Sequence, residues 1–260
     1  MVARNWRRRL LRWLGVAVLL VLGLTVLPVL ALRYVNPWTS AFMLDARASA
    51  LLAGDFAYSN AYEWRDLEDI SPHAAIAVIA SEDQQFAFHD GFDFKSIRQA
   101  MRSNARGRKV RGASTITQQV AKNLFLWSGR SYVRKALEAW YTVLIEWLWP
   151  KERTLEVYLN IAQFGRGVWG VEASAQQFFH KSARRLTRRE SATLAAVLPN
   201  PIVYRVAAPS LTVATRRDWT LRQMRALGGQ AYLAHFEEGD DADPEAHRDA
   251  PGRRSKASAP

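Results

Sequence analysis

The sequence predicts a mainly α-helical protein, on three observations. Apolar residues recur at spacings of three and four through the middle of the chain. Segment after segment opens on Ser, Thr or Asp and closes at Gly or Pro. No stretch alternates apolar and polar residues well enough to make a strand or hairpin. The chain has 260 residues, 49% hydrophobic and 23% charged, which allows a sizeable core and excludes a disordered or collagen-like composition. It contains no cysteine, so a disulfide framework, a thiolate metal site and a cysteine nucleophile are all excluded.

The first element is an apolar helix. Residues 1–12 carry five arginines (Arg4, Arg7, Arg8, Arg9, Arg12) and no acid, and the 20 residues from Trp13 to Leu32 carry no charge. At about 1.5 Å per residue that run spans roughly 30 Å, the thickness of a bilayer's hydrocarbon core. Trp6, Trp13 and Tyr34 flank it as interfacial aromatics do. A cleaved signal peptide is the alternative, with Val29 and Ala31 before the cut, but signal cores run to only about 7–15 residues. With the arginines in front and only Arg33 directly behind, the positive-inside rule places the N-terminus in the cytoplasm and residues 33–260 outside it.

The helices of the folded part follow in order. Ser71-Pro72 opens a helix from His73 to about Asp83. Asp93 caps one from Phe94 to about Arg106, stopped by Gly107. Ser114 is placed as the cap of Thr115 to about Phe125, with Ile116, Val120 and Leu124 on one stripe. Ser131 opens a long helix to about Trp149, stopped by Pro150. Thr154 to Phe164 is amphipathic and closes at Gly165. Thr187 and Glu190 make a capping box before the apolar run to Leu198. The polar stretch 237–260 reads as a disordered tail of net charge −3. The organisation is therefore a basic N-terminus (1–12), a transmembrane helix (13–32), a folded domain (33–236) and a tail (237–260).

The chain carries a net +12, and +10 of that falls on residues 13–236. Such a charge points to an anionic partner: nucleic acid, anionic lipid or a phosphorylated substrate. Arg102, Arg106, Arg108, Lys109 and Arg111 form a basic run that reads as solvated loop or as a contact for lipid headgroups. Gly165 to Gly170 matches G-x-G-x-x-G, but it is expected to follow a helix, so it reads as a connection and not as a dinucleotide site.

Three segments can carry chemistry. In Glu82 to Gly91 an acidic pair ends an apolar helix, followed by Phe86, Phe88, His89 and Gly91. It is either a solvated helix end or, with a carboxylate beside apolar rings, a general base of raised pKa. In Ser114 to Asn123, helical spacing puts Thr115, Gln119 and Lys122 on one face. That face is either plain surface or a holder of sugar hydroxyls and phosphate. Arg134, Lys135 and Glu138 are either a surface salt bridge or a second carboxylate flanked by phosphate-gripping cations. If the three meet, two carboxylates and three cations suit a sugar reaction with a phosphate leaving group.

Together these segments resemble the peptidoglycan glycosyltransferases, glycosyltransferase family 51, and its monofunctional members in particular. The E-D-x-x-F-x-x-H-x-G pattern runs from Glu82 to Gly91, G-x-S-T-I-T-Q-Q-x-x-K-N from Gly112 to Asn123, R-K-x-x-E from Arg134 to Glu138, and K-x-x-x-L-E-x-Y-L-N from Lys151 to Asn160. Gly170 to Ala173 and Ala195 to Pro201 match two further patterns, so the resemblance covers about residues 65–220. Ala113 departs from it, standing where the family more often has glycine.

The resemblance implies a lysozyme-like helical lobe with a small membrane-facing jaw. It implies that Glu82 is the general base and Glu138 the second catalytic carboxylate. Lys122, Arg134 and Lys135 would grip the donor pyrophosphate. Ser114, Thr115, Gln118, Gln119 and Asn123 would line the substrate site, and Asp83, Phe86, His89 and Gly91 would support the first motif. The implied reaction polymerises lipid II, with inversion at the donor MurNAc C1 and loss of undecaprenyl pyrophosphate. Nothing in the sequence requires a cofactor, and no ligand spacing identifies a metal. The family leaves room for Mg2+ or Mn2+, to which Glu82 or Asp83 would contribute. The implied partners are lipid II, the lipid-linked glycan, membrane lipids and proteins of cell-wall synthesis or division, with no nucleic acid. The implied place is a Gram-negative inner membrane, with one span and a periplasmic catalytic domain. No penicillin-binding domain fits in the roughly 40 residues after Thr220, so cross-linking is not expected. On the residues alone, a lysozyme-like glycan-cleaving enzyme and a membrane-tethered scaffold remain as rivals.

Overall fold

A computed structural model describes residues 2–105 and 114–237. Most of the basic run (Arg106, Arg108, Lys109, Arg111), Ala113 and residues 238–260 lie outside the described residues. The rest is mainly helical, as the periodicity predicts. Helix α1 (Val2–Leu32) is continuous, and its stretch Arg9–Leu32 is long and apolar enough to cross a membrane.

The end of α1 is tied to the globular part by hydrogen bonds from side chains to backbone carbonyls there. Trp149 Nε1 donates to Val29 O at 2.7 Å. The Arg153 guanidinium donates to Leu32 O (2.9 Å) and Val35 O (2.9 Å), which puts a cation at the negative end of the helix dipole. Arg33 returns a hydrogen bond to Leu148 O at 2.6 Å. Anchor and lobe therefore meet in a fixed joint.

The centre of the lobe is α3 (Pro72–Glu82), opened by Ser71 with Pro72 in the first turn. Every residue from Ala74 to Ala80 is buried. A helix apolar all round belongs inside a protein. Its alanines let α9 (Arg188–Val197) approach closely, where Ala192, Ala195 and Ala196 are also fully buried. Helix α10 (Leu211–Ala226), α7 (Lys151–Ile161) and the 3-10 turn Gly229–Leu233 cover its other sides. Burying Ile76 and Ile79 contributes about 1.5–3 kcal/mol each. This packing fixes the position of Glu82, the last residue of α3.

Around this centre lie α2 (Ala41–Leu52), α4 (Phe94–Ala105), α5 (Ile116–Phe125), α6 (Tyr132–Leu148), α8 (Val171–Phe179) and the single turn α11 (Ala234–Glu237). Helices α2, α8 and α10 have no counterpart in the sequence reading. α10 carries several polar residues on every side and so shows no clear apolar stripe.

Three expectations need correction. The cap of α5 is Thr115, not Ser114. The Thr115 hydroxyl accepts from Gln118 N while Gln118 Oε1 accepts from Thr115 N, a reciprocal capping box. Helix α7 starts at Lys151 behind Pro150 and ends at Ile161, because Pro150 can precede a first turn and need not leave a gap before the next helix. Strands also exist: β1 (Ala61–Tyr62), β2 (Gln163–Gly165) and β3 (Val168–Trp169). β3 pairs parallel to β1 and antiparallel to β2, with a bulge at Gln163/Gly165. They are too short for alternation to register. The G-x-G-x-x-G segment thus follows a strand, but its glycines serve the hairpin and the start of α8.

Gly170 takes φ +80°, and a Cβ there would stand 2.4 Å from Asn160 O. Gly228 has φ +85° with open space around it. Gly228→Ala should lose about 1–2 kcal/mol, the left-handed penalty alone. Gly170→Ala should lose more than about 3 kcal/mol, since backbone must move as well. Urea unfolding of the two variants measures both, and equal losses would show that the clash is relieved at no cost.

Candidate active site

The C-terminal end of α3 presents the first carboxylate. Glu82 Oε2 accepts from Gln119 Nε2 on α5 at 3.1 Å, and Oε1 accepts from the Ser81 hydroxyl at 3.2 Å. Part of its side chain stays open to the cleft, yet it is surrounded by enough protein that burial pushes its pKa above the usual glutamate value. Gln119, Arg216, Ser81 and Lys122 act in the opposite direction. A carboxyl in such surroundings has the chemistry of a proton acceptor.

Asp83, the next residue, is buried and does different work. Its Oδ2 accepts from Ile116 N at 3.0 Å, placing a carboxylate at the positive end of α5. His89 Nε2 lies 3.0 Å from both Asp83 oxygens, and Gly91 N donates to His89 Nδ1 at 3.1 Å. With Nδ1 accepting, the ring hydrogen that Asp83 receives is the one on Nε2. Gly91 itself has φ +80°, and a Cβ would meet Thr142 Cγ2 at 2.7 Å and Glu146 Cγ at 2.8 Å. Its carbonyl accepts from the Thr115 hydroxyl at 2.7 Å. Phe86 is fully buried, with the Lys151 ammonium 4.9 Å from its ring centroid. Lys151 Nζ also donates to His89 O (2.6 Å) and Glu146 Oε2 (2.8 Å), and Glu146 in turn accepts from Thr117. This network ties the end of α3 to α5, α6 and α7.

The second carboxylate, Glu138 on α6, is 3% exposed. Its Oε2 accepts from Arg134 at 2.9 Å and its Oε1 from Lys135. Arg134 is largely buried, and its Nε is a buried donor without a partner among the described residues. Lys135 is half exposed. Lys122 of α5 is half-buried, with its ammonium 5.3 Å from the Phe42 ring centroid. Burial pushes its pKa down, and Arg134 and Lys135 add to that, while Glu138 and Glu82 push it up. Lys122 is therefore electrostatically coupled to both carboxylates.

The structure thus brings Glu82, Gln119, Lys122, Arg134, Lys135 and Glu138 to one cleft. Thr115 and Gln118 are buried in the cap of α5, where the Thr115 hydroxyl and Gln118 Oε1 make the reciprocal capping bonds. Asn123 is buried one residue past Lys122, and Ser114 is exposed just ahead of the cap. Sequence reasoning missed Arg216 of α10, Tyr158 of α7 and the Lys151–Glu146 pair. Lys151 and Tyr158 lie inside a recognised motif, but Arg216 has no local pattern to mark it. Among the described residues no cluster of three or more metal-ligating side chains occurs. Both Asp83 oxygens face His89, and Oδ2 also accepts from Ile116 N.

Two carboxylates, Glu82 and Glu138, thus share their surroundings with the cations Lys122, Arg134, Lys135 and Arg216. The family model for transglycosylases matches residues 50–225. The chain is 54% identical over 226 residues to the biosynthetic peptidoglycan transglycosylase of Xanthomonas campestris pv. campestris (strain B100), covering 87% of this chain and 92% of that one. It is 51% identical to the protein of that name from Chromohalobacter salexigens, covering 89% and 99%, and 51% identical to that from Pectobacterium atrosepticum, covering 88% and 93%. The chain belongs to the transglycosylase family, as its motifs lead one to expect.

Asp83→Ala removes an acceptor from the first turn of α5 and from His89. It should cost about 2–3 kcal/mol in urea unfolding. A loss below about 0.5 kcal/mol would show that Asp83 does not hold α5 in place.

Proposed function

We propose that this membrane-anchored transglycosylase polymerises lipid II into linear glycan strands. Glu82 removes the proton from the 4-hydroxyl of the acceptor GlcNAc as that oxygen attacks C1 of the donor MurNAc. The bond from C1 to the pyrophosphate oxygen breaks with inversion. Undecaprenyl pyrophosphate then leaves with its negative charge, which Lys122, Arg134 and Lys135 stabilise. Glu138 holds Arg134 and Lys135 in place for that contact. The observation that carries this reading is the half-buried Lys122, coupled electrostatically both to Glu82, whose pKa burial raises, and to Glu138, a carboxylate clasped by two more cations. A glycan hydrolase needs the carboxylates but not the cations. Peptide cross-linking needs an acyl-transfer nucleophile, which this reading does not assign to the cleft.

The apolar α1 fits a single-pass anchor. The arginines before it support a cytoplasmic N-terminus and a periplasmic lobe at a bacterial inner membrane, where lipid-linked substrate is at hand. Proteins of cell-wall synthesis or division are its expected partners. The domain limits proposed are 13–32 for the span and 33–236 for the glycosyltransferase.

The test is polymerisation of purified lipid II by the full-length protein in detergent. Wild type should make lipid-linked glycan strands and release no soluble muropeptides from sacculi. Glu82→Gln should lower the rate by about 100- to 10,000-fold while keeping its fold. Glu138→Gln should lower it as well. A Glu82→Gln protein that polymerises normally overturns the base assignment, and muropeptide release from sacculi overturns the synthetic reading.

A further inference from the structure

We propose that Tyr158 is a positioning residue for the transfer reaction, holding the Gln119 amide so that its nitrogen donates to the Glu82 carboxylate. This rests on Glu82 being the base, and it adds a third member to that site from a different helix.

Tyr158 lies on α7 and is 1% exposed. Its hydroxyl donates to Gln119 Oε1 at 3.0 Å, and Gln119 Nε2 donates to Glu82 Oε2 at 3.1 Å. The two bonds run in series through one amide, linking α7 to α5 to α3. The series has a direction. A phenol owns one hydrogen, and here it goes to the amide oxygen, which leaves the amide hydrogens to face the carboxylate. Turning the amide over would set its oxygen against an ionised carboxylate. It would also leave the phenol hydrogen without an acceptor in a buried position, which costs about 1–3 kcal/mol. Phenylalanine would fill the same volume in the core. The hydroxyl is thus explained by Gln119 and not by packing.

The charged and titratable groups that face Glu82 come from each neighbouring helix. Arg216 faces it from α10, Lys122 from α5, Tyr158 from α7, and Asp83 follows it in the chain. From α9 the contact is the Ala195 carbonyl, reached through Ser81. Of the groups that favour the ionised carboxylate, Gln119 is the largest. A fixed amide donor keeps Glu82 available as a base to lower pH than burial alone would allow. When the donor is released, the carboxyl holds its proton to higher pH.

The experiment measures kcat/KM for lipid II polymerisation against pH, using the full-length protein in detergent. The variants are Tyr158→Phe, Gln119→Ala, the double variant and Glu82→Gln. The acid limb of the Tyr158→Phe profile should move to higher pH, with kcat falling more than KM rises. Gln119→Ala should move it in the same direction, and the double variant no further than Gln119→Ala alone. A Tyr158→Phe limb that superposes on wild type, or a shift that adds to that of Gln119→Ala, overturns the proposal. If Tyr158→Phe does not fold, 3-fluorotyrosine at position 158 decides. This stronger donor should move the limb to lower pH, and an unchanged limb overturns the proposal. Failure of the base assignment reads differently: Glu82→Gln would then remain active.

Discussion

The structure depends on holding one carboxylate where its charge is disfavoured twice. Glu82 ends a helix whose residues from Ala74 to Ala80 are all buried, so it sits against low-dielectric protein and at the negative end of a helix dipole. Burial by itself favours the protonated carboxyl and works against its use as a base. Gln119 and Lys122 of α5, Arg216 of α10 and the neighbouring Ser81 act in the opposite direction. Much of the surrounding architecture, including the cap of α5 on Asp83 and the Lys151 ammonium over Phe86, keeps those stretches in register with the end of α3.

The cations form a graded set. Arg134 and Lys135 are already neutralised in part by Glu138, whereas Lys122 pairs with neither carboxylate and is pushed towards neutrality by burial and by its cationic neighbours. An anion bound beside Lys122 would reverse that pressure. Polar side chains next to a site can also be fully committed to structure. Thr115 and Gln118, expected to line the substrate site, form the capping box of α5, and Asp83, expected to support its motif, accepts from Ile116 N and faces His89. The joint between α1 and the lobe extends the same economy. Arg153 and Trp149 satisfy carbonyls of the anchor's last turn and fix the lobe to it.

Much of this was legible in the sequence because it is local. The apolar run to Leu32 and the helix starts at Ser71, Ser131 and Thr187 depend on neighbours a few residues apart, and each of the short motifs holding Glu82, Lys122 and Glu138 is local too, although their joint role came from the family resemblance. What escaped depends on distance. Arg216 reaches Glu82 across more than a hundred residues of chain and leaves no periodic trace. The strands are two or three residues long and are held by long-range pairing, such as Ala61 with Val168. The T-x-x-Q box at Thr115 was readable, but Ser114 before it offered an equally good cap by composition. Tyr158 reads as core on any sequence argument, because only the fold shows which polar atom its hydroxyl reaches.

The central claim concerns the protonation of Glu82, and a direct titration tests it. Protein labelled with 13C at glutamate carboxyl carbons, compared with a Glu82→Gln sample to assign the resonance, reports its midpoint by NMR. A midpoint above that of an ordinary glutamate, with Glu82 still ionised at neutral pH, is the predicted result. A midpoint at or below the ordinary value would contradict it, since the end of α3 would then be a solvated carboxylate with no tuned role.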